Sequence, residues 1–294
     1  MNKYLFPVYR ILVPKPVRTI ILKKNLRKKI LGYLTSLPLG ELSEEKKEIL
    51  NFLKNNEIRI FPYSFNDNYS PEEIEVFTDG ENGLKYVLQE GKRLYFKRRW
   101  SEARIKRAYS DLMREQDPES PHRYLSDSFT VTGEDVLADI GAAEGNFSLA
   151  VIDKVKKVYL FEYEREWAEA LRATFAPWKD KVEIVNKYVA GHEDESHVRF
   201  DKFYSEKKDI TFLKIDVDGA ESEVLGSFDD IFKSDDKLKI ALCTYHKNND
   251  EKDFTALLLS HRFSVTPSKR YMIHFYDKQI KEPYLRRGLL RAVR

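Results

Sequence analysis

The chain has 294 residues, a formal net charge of +3, 42% hydrophobic and 34% charged residues, and a single cysteine, Cys243. That size and composition support a buried core and exclude a disulfide scaffold or a cysteine-rich zinc site; a lone thiol suits a reducing, cytoplasmic setting. The charge is uneven, since residues 1–40 hold nine basic side chains and no acid, which leaves −6 for the remaining 254 residues.

The first apolar run, LFPVYRILVP, is broken by Pro7 and Arg10 and lacks a small-residue cleavage site, so it is not read as a signal peptide. No run approaches the ~18 apolar residues of a membrane span. The basic residues 1–40 are expected to form a solvated helix face, with peripheral contact to an anionic membrane as the functional alternative. Leu22–Leu37 and Ser43–Asn55 read as amphipathic helices, the second capped by Ser43 with Glu44 and Glu45 in its first turn. Ile58–Tyr63 reads as a short strand, and Ser70-Pro-Glu-Glu starts a brief helix. Gly80 and Gly83 mark a turn. Lys85–Leu88 and Lys92–Lys97 flank Glu90-Gly91 as a hairpin. Ser101–Glu115 returns to helix, and the proline-bearing EQDPESPHRYL is a loop. Beyond it, short apolar strands (VLADIG, VYLFEYE, VEIVNKYV, ITFLKIDVD, LKIALCTYH) alternate with helices. This is the pattern of a parallel sheet covered on both faces. The expected division is an extension over residues 1–125 and an α/β unit over 126–294.

In DIGAAEGNF, Gly141, Ala143 and Gly145 occupy alternate positions between a strand and a helix, so the backbone can approach a ligand and the helix N-terminus could receive a carboxylate. Asp139 stands at the strand's carboxyl end. Glu162 ends the next strand, where an acid can hold both ribose hydroxyls of a nucleoside. A nicotinamide dinucleotide, with its pyrophosphate, usually calls for GxGxxG; here Gly145 comes one position early, and Asp139 and Glu144 would crowd a phosphate. S-adenosylmethionine carries an ammonium, a carboxylate and a sulfonium, which suit an acid-rimmed turn.

A second cluster follows. Lys214, Asp216 and Asp218 alternate on one face of ITFLKIDVD, a strand expected beside that of Asp139, so Lys214 is placed to neutralise Asp139 or Asp216. His246 ends LKIALCTYH and is a candidate general base, with Asp216 as its rival or its orienting partner. His122 is a candidate lining residue from the SPHRY loop. Asp216, Asp218, Glu221 and His246 could hold magnesium, but no ligand spacing is diagnostic and no metal is expected. His192, His197, His261 and His274 read as surface or packing residues.

In this order and spacing, DIGAAEGNFSL, YLFEYE, FLKIDVDGAESEVL and CTYH resemble the FkbM family of S-adenosylmethionine-dependent methyltransferases, over roughly Tyr109–Arg294. The resemblance implies a class I, Rossmann-like methyltransferase fold: a seven-stranded, mostly parallel sheet whose last strand is antiparallel, here with the N-terminal helical and hairpin extension added. It also implies O-methylation of a hydroxyl on a sugar, glycan or small natural product. The expected cofactor residues are Asp139, Gly141, Ala142, Ala143, Glu144, Gly145, Asn146, Phe147, Glu162, Tyr163 and Tyr188. The catalytic pair is His246 and Asp216, and the acceptor side carries His122, Lys214 and Asp218. Phe161-Glu162-Tyr163 departs from the family's usual Phe-Glu-Pro, which puts the loop shape in doubt. DVDG stands where many nucleic-acid amino-methyltransferases carry Asn/Asp-Pro-Pro-aromatic, so nucleic acid is not expected as substrate. The rival readings are an NAD(P)-binding oxidoreductase and a basic, non-enzymatic module for RNA or membrane.

Overall fold

The computed structural model describes residues 15–207 and 209–294. Helix α1 (Lys15–Ser36) begins before the expected Leu22, because Pro16 falls in the first turn, where the missing N–H costs nothing. Helix α2 (Glu44–Asn55) is capped as expected, with Ser43 Oγ accepting from Lys46 N. The expected strand at 58–63 does not form. Pro62 removes a donor, and the segment's cross-chain backbone bond is Ile273 N to Ile60 O at 2.8 Å. Its apolar side chains are buried all the same. Ile58, Phe61 and Tyr63 join Ile30 and Leu34 of α1, Leu53 of α2, and Met272, Ile273, Tyr284 and Leu285 in one core cluster.

A three-stranded meander follows: β1 (Phe77–Thr78), β2 (Lys85–Gln89) and β3 (Lys92–Tyr95), its hairpin turned by Glu90 and Gly91, both at positive φ. Strand β1 escapes sequence reading because it is two residues long. Helix α3 (Glu102–Glu115), capped by Ser101, leads into the loop before the main sheet.

The remaining elements are β4 (Val136–Ile140), α4 (Asn146–Val151), β5 (Lys157–Phe161), α5 (Arg165–Phe175), β6 (Val182–Val185), β7 (Tyr188–Ala190), β8 (His197–Arg199), α6 (Phe200–Lys207), β9 (Phe212–Ile215), α7 (Glu221–Leu225), α8 (Asp229–Lys233), β10 (Lys239–Cys243), α9 (Asp250–Ser260), β11 (Ser264–Pro267) and β12 (Leu289–Val293). VEIVNKYV is two strands rather than one. Asn186 Nδ2 donates to Glu162 O and Tyr163 O, which bends the chain, and β7 then pairs only with β8. The seven-stranded sheet runs β11-β12-β10-β9-β4-β5-β6, and the last strand, β12, is antiparallel to both neighbours. Separate apolar clusters cover the two faces of this sheet. One of them unites Leu84, Val87, Leu94 and Phe96 with Leu137, Val158, Leu160 and Phe212, so hairpin and sheet share a core across residue 125. Among the described residues no helix is long and apolar enough to cross a membrane.

Candidate active site

The strand order reverses between β4 and β9, and open α/β sheets hold ligands outside the strand carboxyl ends at such a point. A cavity of about 800 Å³ lies there. The turn after β4 builds its floor. Gly141 has φ +79°, and a Cβ on it would stand 2.0 Å from Asp216 O, so only glycine fits. Ala143 also adopts positive φ, at +47°, and its N–H donates to Glu162 Oε2 at 3.0 Å. Glu162 Oε1 accepts from Glu164 N at 2.7 Å. The acid that ends β5 therefore ties the turn after β4 to its own loop while it lines the cavity.

Asp139 and Lys214 oppose one another in the β4–β9 register. Lys214 Nζ lies 2.9 Å from Asp139 Oδ1 and donates to Gly141 O at 2.6 Å, and Ser148 Oγ donates to Asp139 Oδ2 at 2.7 Å. The expected neutralisation of Asp139 by Lys214 is thus present, and Lys214 also lines the cavity. One expectation is corrected: Asp139 is 1% exposed and sits beneath the turn, outside the cavity lining. Burial would lower the lysine's pKa, but the charges of Asp139 and Asp216 outweigh it and keep the ammonium charged. Gly145 and Phe147 likewise face inward. A Cβ on Gly145 would meet Leu171 and Phe175 at 2.8 Å, and Phe147 packs on Tyr124 at 4.9 Å between centroids. The helix N-terminus expected to take a carboxylate is short, and Phe147 N already donates to Asn146 Oδ1.

Gly141, Ala142, Ala143, Glu144, Asn146, Glu162, Tyr163 and Tyr188 do line the cavity. Tyr163 and Tyr188 stack at 3.9 Å between centroids at its outer end, beside His192 and His197, two lining residues that had read as surface or packing. Its inner end is lined by Glu115, Tyr124 and Tyr245, which the sequence reading did not single out. Burial pushes the Glu144 carboxyl up to about 8 and that of Glu115 up to about 6. Seven acidic side chains (Glu115, Glu144, Glu162, Glu164, Asp216, Asp218, Glu223) face two lysines (Lys187, Lys214) around this space, and even with Glu144 protonated near neutral pH the acids outnumber the lysines, so the field favours a cation.

Asp216 is a hub. It accepts from Tyr124 Oη at 2.8 Å and Tyr245 Oη at 3.3 Å, and His122 Nε2 lies 3.4 Å away. Burial alone would raise its pKa, but the hydrogen bond and charge of His122, with Lys214 and His246, hold it well below the usual carboxylate range. An acid so saturated and so firmly ionised is a poor base. His122 is 1% exposed, packed against Phe61, Tyr124 and Tyr245, and absent from the cavity wall, which corrects its expected lining role.

His246 lines not this cavity but an adjoining groove of about 460 Å³, with Asp218, His274, Tyr276 and Lys278; Asp218 borders both spaces. Its Nδ1 lies 3.0 Å from Glu221 Oε1, while Nε2 stands 3.9 Å from Asp216 and 3.8 Å from Asp218. Burial lowers its pKa, yet the hydrogen bond and charge of Glu221, with Asp216 and Asp218, raise it overall. Glu221, 1% exposed, also accepts from Val217 N and Gly219 N, so its position is fixed. Asp216, Glu221 and His246 could in geometry offer three metal ligands.

The antiparallel final strand in a parallel sheet, with an acid-lined cavity over β4, β5 and β9, defines a class I methyltransferase fold. Within that class the resemblance is to the FkbM family: a family model described as the methyltransferase FkbM domain matches residues 187–265. A methyltransferase FkbM from Methylobacillus flagellatus superposes with a TM-score of 0.43 at 15% identity, over 65% of this chain and 54% of that one, so the present chain spans about half its length. A precorrin-6y C5,15-methyltransferase from Geobacter metallireducens gives 0.38 at 13% identity, over 55% and 80%. M. capricolum TrmK, solved with S-adenosyl-homocysteine, gives 0.35 at 13%, over 58% and 67%. No curated protein matches the chain.

Proposed function

We propose that the protein is an S-adenosylmethionine-dependent methyltransferase that methylates a hydroxyl of a sugar, glycan or small natural-product acceptor. The observation that carries the reading is the acid-rich cavity at the switch point, whose field suits a sulfonium and an ammonium and opposes a pyrophosphate. Glu162 would hold the nucleoside hydroxyls, the Gly141–Asn146 turn would pass along the donor, and Glu144 would face its cationic part. The donor supplies a methyl group already activated on sulfur. The chain's task is then to align an acceptor oxygen with it and to remove that oxygen's proton. Glu221 beside Nδ1 of His246 favours the tautomer whose Nε2 carries a lone pair toward the groove. As the oxygen gains the methyl group, its proton passes to Nε2 and then to solvent. Residues 1–125 act as an extension on the acceptor side, since Phe61 and Tyr124 wall the His122–Asp216 network.

Isothermal titration tests the reading. S-adenosylmethionine or its demethylated product binds, and Glu162→Ala weakens binding by about tenfold or more, the loss of hydrogen bonds to a charged group. Binding of NADH with no binding of either compound overturns it in favour of an oxidoreductase.

A further inference from the structure

Helix α1 is built in two parts along its outward side. In the first turns Val17, Ile20, Ile21 and Leu22 are 44%, 64%, 39% and 67% exposed. The next turns present Lys24, Lys28 and Lys29 to solvent, and among the described residues none of the three has an acid partner. The inward side is occupied. Leu26, Ile30 and Leu34 pack on the core, Lys23 Nζ stands over the Phe275 ring at 4.4 Å, and Arg27 donates to Leu53 O at 2.7 Å and Lys54 O at 3.0 Å. The bases that serve the fold are thus distinct from those that do not. At a rise of about 1.5 Å per residue, Ile20 and Lys28 are about 12 Å apart along the axis.

We infer that α1 docks the protein on an anionic membrane, with its exposed apolar first turns among the headgroups and Lys24, Lys28 and Lys29 against lipid phosphates. An apolar tip followed by a lysine collar matches the depth profile of a lipid interface, and no acid in residues 1–40 opposes the anionic surface. A second copy of the chain would bring the same lysines together and is disfavoured by charge. A nucleic acid strand would want exposed rings for stacking, and the exposed apolar residues of α1 are aliphatic. Docking also orients the site. Phe275, under Lys23, lies between His274 and Tyr276, which line the groove at His246. A docked α1 therefore holds that groove beside the membrane-bound helix, and the acceptor becomes a hydroxyl on a membrane-anchored molecule. This last step rests on the proposed function; the docking does not.

Co-sedimentation with phosphatidylcholine vesicles, with and without phosphatidylglycerol, tests the docking. The full chain pellets only with the anionic vesicles and is released as salt is raised. Each Lys→Glu change at 24, 28 or 29 lowers partitioning by about fivefold or more, and Ile20→Asp with Leu22→Asp abolishes it. All these variants keep the wild-type circular dichroism spectrum and melting temperature, which shows that they fold. The docking is overturned if wild type stays in the supernatant, if the variants pellet like wild type, if sedimentation velocity finds a dimer that Ile20→Asp dissolves, or if RNA alone is retained through the same lysines. The acceptor step has its own readout. Membranes incubated with protein and radiolabelled donor take label into the lipid-extractable fraction, and label confined to water-soluble products overturns that step alone.

Discussion

At His246 two opposing effects meet, and the balance between them sets an observable. Burial favours the neutral ring, but the nearby carboxylates win and raise the pKa above its ordinary 6.5, Glu221 being the strongest of them. Under the proposed function the neutral ring is the base, so turnover is expected to rise with pH through a midpoint above 6.5 and to fall as the ring is protonated below it. His246→Ala is expected to lower kcat by about 10²–10⁴ with donor affinity nearly unchanged. Glu221→Gln, which removes the strongest raising partner, moves the acidic limb of the kcat profile to lower pH; a limb that stays in place contradicts the assignment. Glu144 gives the opposite kind of signature. Its folded carboxyl titrates at about 8 against 4.5 in the free side chain, so between those values the folded protein holds a proton that the unfolded chain has lost. Stability from this group therefore falls as pH rises from 4.5 to 8 and is level above. Melting of Glu144→Gln should match wild type near pH 4 and exceed it increasingly up to pH 8. Over the same interval wild-type affinity for a cationic ligand should rise, as the carboxylate becomes available.

Between elements, the Asp139–Lys214 pair joins β4 to β9 under the turn. The sequence made much of this legible. An acid at a strand end, and a lysine in the middle of an apolar strand expected next to it, predicted an internal neutralisation that the register places directly across the ladder. It did not reveal that Asp139 lies below the turn instead of in the cavity, because both faces of a central strand are covered and alternation does not say which face meets the ligand. Glu115, Tyr124 and Tyr245 escaped for a related reason: they come from a helix end, a loop and the residue before His246, and only tertiary packing brings them to Asp216. The pair's weight can be measured. Lys214→Met leaves a buried, unpaired carboxylate and should destabilise by about 3–5 kcal/mol in urea unfolding, whereas the Lys214→Met, Asp139→Leu double variant should recover a good part of that loss. If the double variant is as unstable as the sum of both changes, the two charges are not coupled in the folded state.

For the whole molecule, the question is whether residues 1–125 form a unit of their own, as the change of rhythm in the sequence near residue 125 suggests. That rhythm reports local pattern, and it cannot report which apolar faces share a core. Two clusters cross the division: the hairpin residues Leu84, Val87, Leu94 and Phe96 pack with the sheet, and α1 and α2 close over Met272, Ile273, Tyr284 and Leu285 near the other end of the chain. Arg270 N donates to Glu45 Oε1 at 2.6 Å and Arg287 pairs with Glu45 at 2.8 Å, which clamps α2 to the same C-terminal segment. Units that share cores and clamps in this way should unfold together. Calorimetry of the full chain is therefore expected to show one transition whose van't Hoff and calorimetric enthalpies agree. Leu53→Ala in α2, fully buried, should lower that transition as a whole, at a cost of about 2–5 kcal/mol, rather than release a separate early one. Two resolved transitions, with only the first moved by Leu53→Ala, would establish the extension as an independently folding cap.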